Sequence, residues 1–334
     1  MPSTMNPHRW TPPPAPPRAR RTRSTPPLPA LTRLELPGTG PEDVVLAPDG
    51  RLIVGVADGA ILSIDPATGD TRQLANTGGR PLGLHADPDG TLLICDFERG
   101  LLQLRPGSAL EVLVDEVGGK RLPFASNVVR DTDGTVYFSS STSRYSLAEY
   151  MGDLLEHSGT GRLFRRDPSG EVETLLDNLH FANGVVLAPD RSCVLVAETG
   201  GYRVSRYWLT GPKAGTRDFL IENLPGFPDN MALGSDGLVW ITLPTARNPL
   251  LDRLLPLPGM LRRLVWMLPE WLRPKPAKTV WVLAVDFEGT VVHDLQTEGT
   301  NFAMVTGVVE RDGVLYLGSL TESAVGVSRV PQTS

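Results

Sequence analysis

Apolar and polar positions along the chain follow one recurring pattern. An apolar stretch of strand-like residues is followed by a turn centred on Asp-Gly and then by a second apolar stretch. It reads VVLAPDGRLIVGV from Val44, LGLHADPDGTLLICD from Leu82 and NVVRDTDGTVYFSS from Asn127. It returns as GVVLAPDRSCVLVAE from Gly184, NMALGSDGLVWITL from Asn230 and GVVERDGVLYLGSL from Gly307. Asp-Gly between β-rich runs is a strong hairpin signal, because glycine takes φ > 0 without steric cost. The turn aspartates are Asp49, Asp89, Asp133, Asp190, Asp236 and Asp312, at intervals of 40, 44, 57, 46 and 76 residues. Strand-built repeats of this length are the mark of propeller blades.

Outer hairpins follow five of the six, such as AILSIDPATGDTRQLA and VWVLAVDFEGTVVHDL. The sixth repeat has only AVGVSRV after its central hairpin and lacks one strand. The run LTRLEL at 31–36 precedes the first repeat and can supply it, closing the ring and hiding both edges. The expected fold is therefore all-β: a six-bladed β-propeller over 31–330, with a short helical insert in the fifth blade.

That insert, residues 247–278, accounts for the long interval. It carries seven basic and two acidic residues, a net charge of +5. Met260, Leu261, Leu264, Val265 and Leu268 share one helical face, with Arg262 and Arg263 expected on the other. Pro256, Pro258 and Pro269 bound the helix. Two readings stand open: a helix packed over the propeller top, or a substrate lid or membrane-surface patch with Trp266 and Trp271 at the interface. A peripheral membrane contact is accordingly expected through 250–276.

Composition narrows the picture. Of 334 residues, 34 are Gly and 31 Pro, an excess that suits many strands joined by turns. Five His and two Cys leave no disulfide scaffold or zinc-finger array, and no apolar run reaches the length of a membrane span. Cys95 and Cys193 fall in apolar strand-like runs, as buried free thiols of a reducing compartment do. The net charge of −6 hides six Arg and no acid in residues 1–34, so the remainder sums to −12 and disfavours nucleic acid. Residues 1–30 hold ten Pro and read as a disordered tail. No apolar stretch follows the Arg pair at 20–21 as an export signal would need, and a cytoplasmic, optionally membrane-associated protein is expected.

About seven positions before each turn aspartate stand Glu42, Leu82, Asn127 (six before), Asn183, Asp229 and Val305. Matched positions on innermost strands converge on the central channel. Four of the six bear oxygen, and Asn230 adds a fifth group. Two carboxylates with amide oxygens, and no His or Cys, form a hard-ligand set suited to calcium, with water or substrate completing the shell.

Five motifs in order resemble the strictosidine synthase-like family: GRPLGLHADPDGTLLICDFERGLLQL, LPFASNVVRDTDGTVYFSSSTSRYS, LHFANGVVLAPD, VAETGGYRVSRYWLTGPKAGT and LPGFPDNMALGSDG. GMLRRLVWMLPEWLRPKPAK resembles its lid region, and the likeness runs over roughly 40–330. The wider superfamily holds gluconolactonases, paraoxonases and diisopropyl fluorophosphatase. The resemblance implies a calcium held by Glu42 in GPEDV, Asn127 in ASNVV, Asn183 in ANGVV and Asp229 in FPDNM. Two departures matter. Strictosidine synthase uses a Glu before the last hairpin, and no acid lies between Glu298 and Glu310, which argues against Pictet–Spengler condensation. Gluconolactonases carry an Arg where Ala125 stands, which argues against a polar sugar lactone. Paraoxonases use a second-blade His, so His85 becomes a substrate-contact candidate, as do Ser139 and Ser141 with Ser140 between them.

The expectation is a calcium-dependent hydrolase of lactones or aryl esters, with the ion polarising the carbonyl and Asp229 as base or nucleophile. Its small-molecule partner is an ester or lactone. The alternative of a different class is a non-catalytic propeller scaffold with a structural calcium.

Overall fold

The computed structural model describes residues 5–269 and 276–331. Six four-stranded antiparallel sheets radiate from one axis. Blade one runs Val44–Leu46, Leu52–Gly55, Ala60–Ile64, Thr71–Asn76, innermost strand first, and blades two to five repeat this order along the chain. In blade six the strands Val305–Arg311, Val314–Ser319 and Ala324–Arg329 are completed by Thr32–Glu35, with Thr32 opposite Val327 and Glu35 opposite Ala324. The early strand therefore closes the ring, as its isolation in the sequence predicts.

The burial pattern explains why the strands read as apolar runs rather than as alternation. The second strands of blades one to five, such as Leu92–Asp96 and Val136–Ser140, are buried along their whole length, because each face packs against a neighbouring blade. The outermost strands are more open: Thr71–Asn76 is mostly exposed and Arg217–Ile221 mostly half-buried. The turn aspartates act locally: the carboxylates of Asp89, Asp133 and Asp190 accept from the backbone N–H of Thr91, Thr135 and Ser192 at 2.8, 2.8 and 2.9 Å. Cys95 and Cys193 are free and buried.

Two departures concern the segments outside the strands. Residues 5–30, expected to be a disordered tail, lie against the propeller. Trp10 stacks on His157 at 4.3 Å, Ser24 N donates to Gln296 O at 3.1 Å, and Leu28 joins the core between blades five and six. Proline removes the need to satisfy backbone N–H groups, so a Pro-rich strap can cross a surface with few hydrogen bonds. The second departure is helix α1, Tyr150–Glu156, which interrupts blade three between its second and third strands.

The fifth-blade insert forms α2, Pro249–Leu254, and α3, Gly259–Met267. Arg262 and Arg263, expected together opposite the apolar face, are separated: Arg263 is exposed and Arg262 is not. Arg262 and Trp266 face inward, and Arg262 is fully buried. Its guanidinium donates to Leu155 O at 2.9 Å and Glu156 O at 3.4 Å, the last carbonyls of α1, and to His8 O at 2.9 Å. A cation at carbonyls left open by a helix end is favourable, so the arginine and not the leucines anchors the helix. Met260, Leu261, Leu264 and Leu268 are exposed and Val265 is half-buried. Trp271 lies outside the described residues. No helix among the described residues is long and apolar enough to cross a membrane.

Candidate functional site

The residue pairs across the inner hairpins define equivalent heights. They are Val44 with Val54, Leu84 with Ile94, Val128 with Phe138, Val185 with Val196, Met231 with Ile241, and Val308 with Leu317. Two residues before each reference stand Glu42, Leu82, Ser126, Asn183, Asp229 and Thr306. One residue before stand Asp43, Gly83, Asn127, Gly184, Asn230 and Gly307. The channel therefore has two layers, one above the other.

All six residues of the upper layer form the floor of a cavity of about 330 Å³, and none of the lower six reaches it. This corrects two matched positions. Ser126, not Asn127, is the blade-three counterpart of Asn183, and a strict count of seven from Asp133 points to it. In blade six the first arm of the hairpin is one residue shorter, so Thr306 replaces Val305.

The lower layer alternates polar side chains with glycines. Asn127 Nδ2 donates to Asp43 Oδ2 at 3.3 Å and to Asn230 Oδ1 at 3.1 Å, while its Oδ1 accepts from Val185 N at 2.9 Å. Asp43 Oδ2 also accepts from Leu84 N at 2.9 Å. Three polar side chains thus fill the axis, and there is no room for three more. A Cβ on Gly83 would meet Asn127 Cα at 2.4 Å, one on Gly184 would meet Met231 N at 2.4 Å, and one on Gly307 would meet Asp43 Cα at 2.7 Å. Asn127 and Asn230, both candidate metal ligands, are thereby placed beneath the cavity and bonded to protein. Asn230 Nδ2 donates upward to Glu42 Oε1 at 3.1 Å and joins the two layers.

On the floor, Asn183 Nδ2 donates to Asp229 Oδ1, and Ser126 Oγ to Asn183 Oδ1 at 3.0 Å. Glu42 Oε2 is buried with no hydrogen-bond partner among the described residues. Burial raises the pKa of Glu42 well above the ordinary carboxylate value, and the charges of Asp229 and Asp43 add to it. Burial also raises Asp43 and Asp229. Three carboxyl groups thus converge where a positive charge would be strongly stabilised. Arg80 opposes Glu42's shift, yet its own guanidinium is lowered by burial and it does not line the cavity.

The fit to a cation rests on these groups. Among the described residues no three His, Cys, Asp or Glu form a metal-holding cluster. The oxygens at the floor are instead mixed: carboxylates of Glu42 and Asp229, the amide of Asn183 and the hydroxyl of Ser126. An orphaned carboxylate oxygen beside a second carboxylate suits a hard divalent ion that keeps part of its shell for water or substrate.

The walls are apolar. Phe124 and Phe181 line the cavity edge to face at 5.5 Å, with Phe97 against Phe124 at 5.0 Å and Tyr150 tilted to Phe181 at 6.5 Å. Phe124 and Phe181 have φ of 48° and 61°, and Met304 in blade six has φ of 54°. Each precedes the irregular step that starts an inner strand, and all three enter the cavity wall. Sequence reasoning missed these residues, and also Asp43 and Tyr150. The repeated Phe-Ala before Ser126 and Asn183 was the available signal. The roof comes from α1, α2 and α3 through Leu154, Leu251, Leu254 and Trp266.

Other candidates lie elsewhere. His85 is outside the cavity and faces Asp87, Nε2 to Oδ1 at 3.3 Å. Ser139 Oγ donates to Asn183 O at 2.7 Å and accepts from Asn127 N at 3.1 Å, bracing the strands beneath the floor. Ser141 is buried and does not line the cavity. Blade six offers the cavity Met304, Thr306 and Leu320, so no carboxylate faces it there.

Comparison with known proteins follows the same lines. The family model described as Strictosidine synthase matches residues 126–212, and that described as Strictosidine synthase-like, N-terminal matches 27–64. The adipocyte plasma membrane-associated protein of Mus musculus is 34% identical over 306 residues, covering 84% of this chain and 73% of its own. Protein STRICTOSIDINE SYNTHASE-LIKE 6 of Arabidopsis thaliana is 32% identical over 319 residues, covering 91% and 84%. Among solved structures, a gluconolactonase from Xanthomonas campestris superposes with a TM-score of 0.64 at 16% identity, covering 99% and 97%. The calcium-binding protein regucalcin from Agrobacterium tumefaciens superposes with a TM-score of 0.62 at 13% identity, covering 91% and 94%. The structural likenesses carry the propeller fold, and the sequence likenesses carry the lineage: this chain belongs to the strictosidine synthase-like family.

Proposed function

We propose that the protein is a metal-dependent hydrolase of apolar esters or lactones. The observation that supports this best is the pairing of an oxygen-ligand floor, Glu42 with Asn183 and Asp229, with walls of Phe124, Phe181 and Met304 in one cavity. Glu42, Asp229, Asn183 and Ser126 would hold the ion, with calcium the best match to their oxygens. When bound, the ion supplies Lewis-acid polarisation of the scissile carbonyl.

The chain's own residues do the rest. Asn183 holds Asp229 Oδ1, which leaves Oδ2 to take a proton. A water gives that proton to Asp229 Oδ2 as its oxygen bonds to the carbonyl carbon. The bond from carbon to the leaving oxygen then breaks, and the leaving oxygen takes the proton back. The aromatic walls hold the acyl or aryl part and exclude bulk water. Ala125 and its neighbours provide no guanidinium to grip a sugar, the guanidinium of Arg247 in the cavity lining is taken up by Asp252, Asn223 and Pro13 O, and no blade-six carboxylate supports condensation.

The lower layer weighs against a purely structural ion. Asn127, Asp43 and Asn230 already tie blades one, two, three, four and five together by direct hydrogen bonds, so register does not depend on a cation above them. The test is turnover of phenyl acetate and of a medium-chain lactone, with calcium and after chelation. Turnover that disappears on chelation and returns with calcium is expected. A protein whose melting temperature falls on chelation but which turns over neither substrate would overturn the hydrolase in favour of the scaffold.

A further inference from the structure

Twelve large apolar side chains are exposed among the described residues, and seven of them fall within 250–268. The other five are scattered over separate strands: Leu74, Val112, Phe219 and Val292 on outermost strands and Leu233 on the innermost strand of blade five. The most open of the seven are on α3: Met260 is 67% exposed, Leu264 55% and Met267 78%. Isolated exposed leucines need no explanation, but a contiguous apolar surface on one helix pair does. The inward face of α3 is engaged. Arg262 is held by three carbonyls, and Trp266 packs with Met5 and Leu155. The outward face is therefore a fixed surface presented by an anchored helix and not a core face awaiting its partner.

Two further observations say what covers it. Of the charged residues of the segment 247–278, Arg247 and Arg262 are buried, whereas Arg253, Arg263 and Lys278 are exposed, the first two beside the apolar side chains. A basic margin around an apolar face complements an anionic lipid surface. The surface is also continuous with the cavity. Leu250 is 46% exposed and lines the cavity, while Leu251, Leu254, Val265 and Trp266 line it from the same two helices.

We propose that α2 and α3 seat the protein on an anionic lipid surface, with the cavity mouth at the lipid interface, so that lipid-soluble molecules enter the cavity from the lipid phase. The docking face stands independently of the hydrolase assignment, because it rests on exposure and charge alone.

The test uses the full chain with sedimented vesicles of phosphatidylcholine alone or with about 30% phosphatidylglycerol, in the absence of any substrate. The wild type is expected to pellet with the anionic vesicles, and less so as salt rises from about 50 to about 500 mM. The triple variant Met260→Glu, Leu264→Glu, Met267→Glu is expected to bind at least about tenfold more weakly, with an unchanged melting temperature because these side chains are exposed. Failure of the wild type to bind anionic vesicles would overturn the proposal, as would undiminished binding by the triple variant. A dimer in light scattering that the triple variant converts to monomer, without vesicle binding, would assign the face to a second copy of the chain.

Discussion

Asn127 Nδ2 lies 3.1 Å from Asn230 Oδ1, one layer beneath the cavity floor and across the channel axis from blade three to blade five. The same Asn127 also bonds Asp43 in blade one and Val185 in blade four. One amide thus spans four blades. Replacing Asn127 by Ala strands the Val185 N–H and Asn230 Oδ1, while Asp43 Oδ2 keeps its bond from Leu84 N, at about 1–3 kcal/mol for each buried group left unpaired. We expect Asn127→Ala to lower the denaturant midpoint by about 2–4 kcal/mol of stability, while the cation affinity of the folded protein changes little. Chemical denaturation and calcium titration calorimetry check the two parts separately. An Asn127→Ala variant of normal stability that had lost calcium binding would return Asn127 to the ligand set.

Asp229→Asn should behave in the opposite way. It removes one of three buried carboxyl groups that raise one another's energy, while keeping the side chain's shape. The melting temperature in chelator is expected to stay level or rise. The additional stability conferred by calcium, and turnover of phenyl acetate, are expected to fall by at least about 100-fold in affinity and rate. Melting curves with and without chelator read this directly.

The alternation of glycine with polar residues in the lower layer makes a third prediction. Gly184→Ala places a Cβ 2.4 Å from Met231 N and 2.7 Å from Asp229 O. Both contacts are backbone, so no side chain can move aside. The expected result is little soluble folded protein, or a loss of several kcal/mol. Gly50→Ala is the contrast: its Cβ would meet nothing, and its cost comes only from φ of 81°. Yield and melting temperature compared between the two variants test the packing argument.

The blades were legible because each Asp-Gly turn fixes a hairpin locally and every hairpin repeats the others. The ring closure by Thr32–Glu35 was legible because one repeat lacked a strand. The site was legible only to within one residue. In a strand, a shift of one moves a side chain to the other side of the pleat. Taking Asn127, six positions before its turn aspartate where the other repeats stand at seven, therefore exchanges the floor residue Ser126 for a buried strut. The roof was not legible. Helical periodicity found the apolar face of α3 but could not tell which face meets the protein, because the anchoring partner of Arg262 is the end of α1, more than 100 residues away. The Pro-rich strap was misread because composition reports the lack of a core and not the presence of a surface to lie on.

That strap supplies the last prediction. Trp10, His157 and His180 form one stack, with ring centroids 4.3 Å apart for the first pair and 3.8 Å for the second. His157 Nε2 and His180 Nδ1 are buried without hydrogen-bond partners. Burial lowers His157 to about 2 and His180 to about 4, and for His157 the charge of His180 adds to the effect. Both imidazoles are neutral in the folded protein near pH 7. The unfolded chain takes up protons at these residues near pH 6.5, whereas the folded protein does not until well below it. Stability contributed by keeping them neutral is therefore full above about pH 6.5 and is lost as pH falls from there toward 4 for His180, and further for His157. Denaturant midpoints measured across this range should fall with acidity, and limited proteolysis should cut the 5–20 segment first as the stack loosens. In His157→Phe the ring can still stack but no longer titrates, so the acid-dependent loss should be reduced, with stability near pH 7 held close to wild type. A variant that kept the full pH dependence would show that other groups, not this stack, govern acid stability.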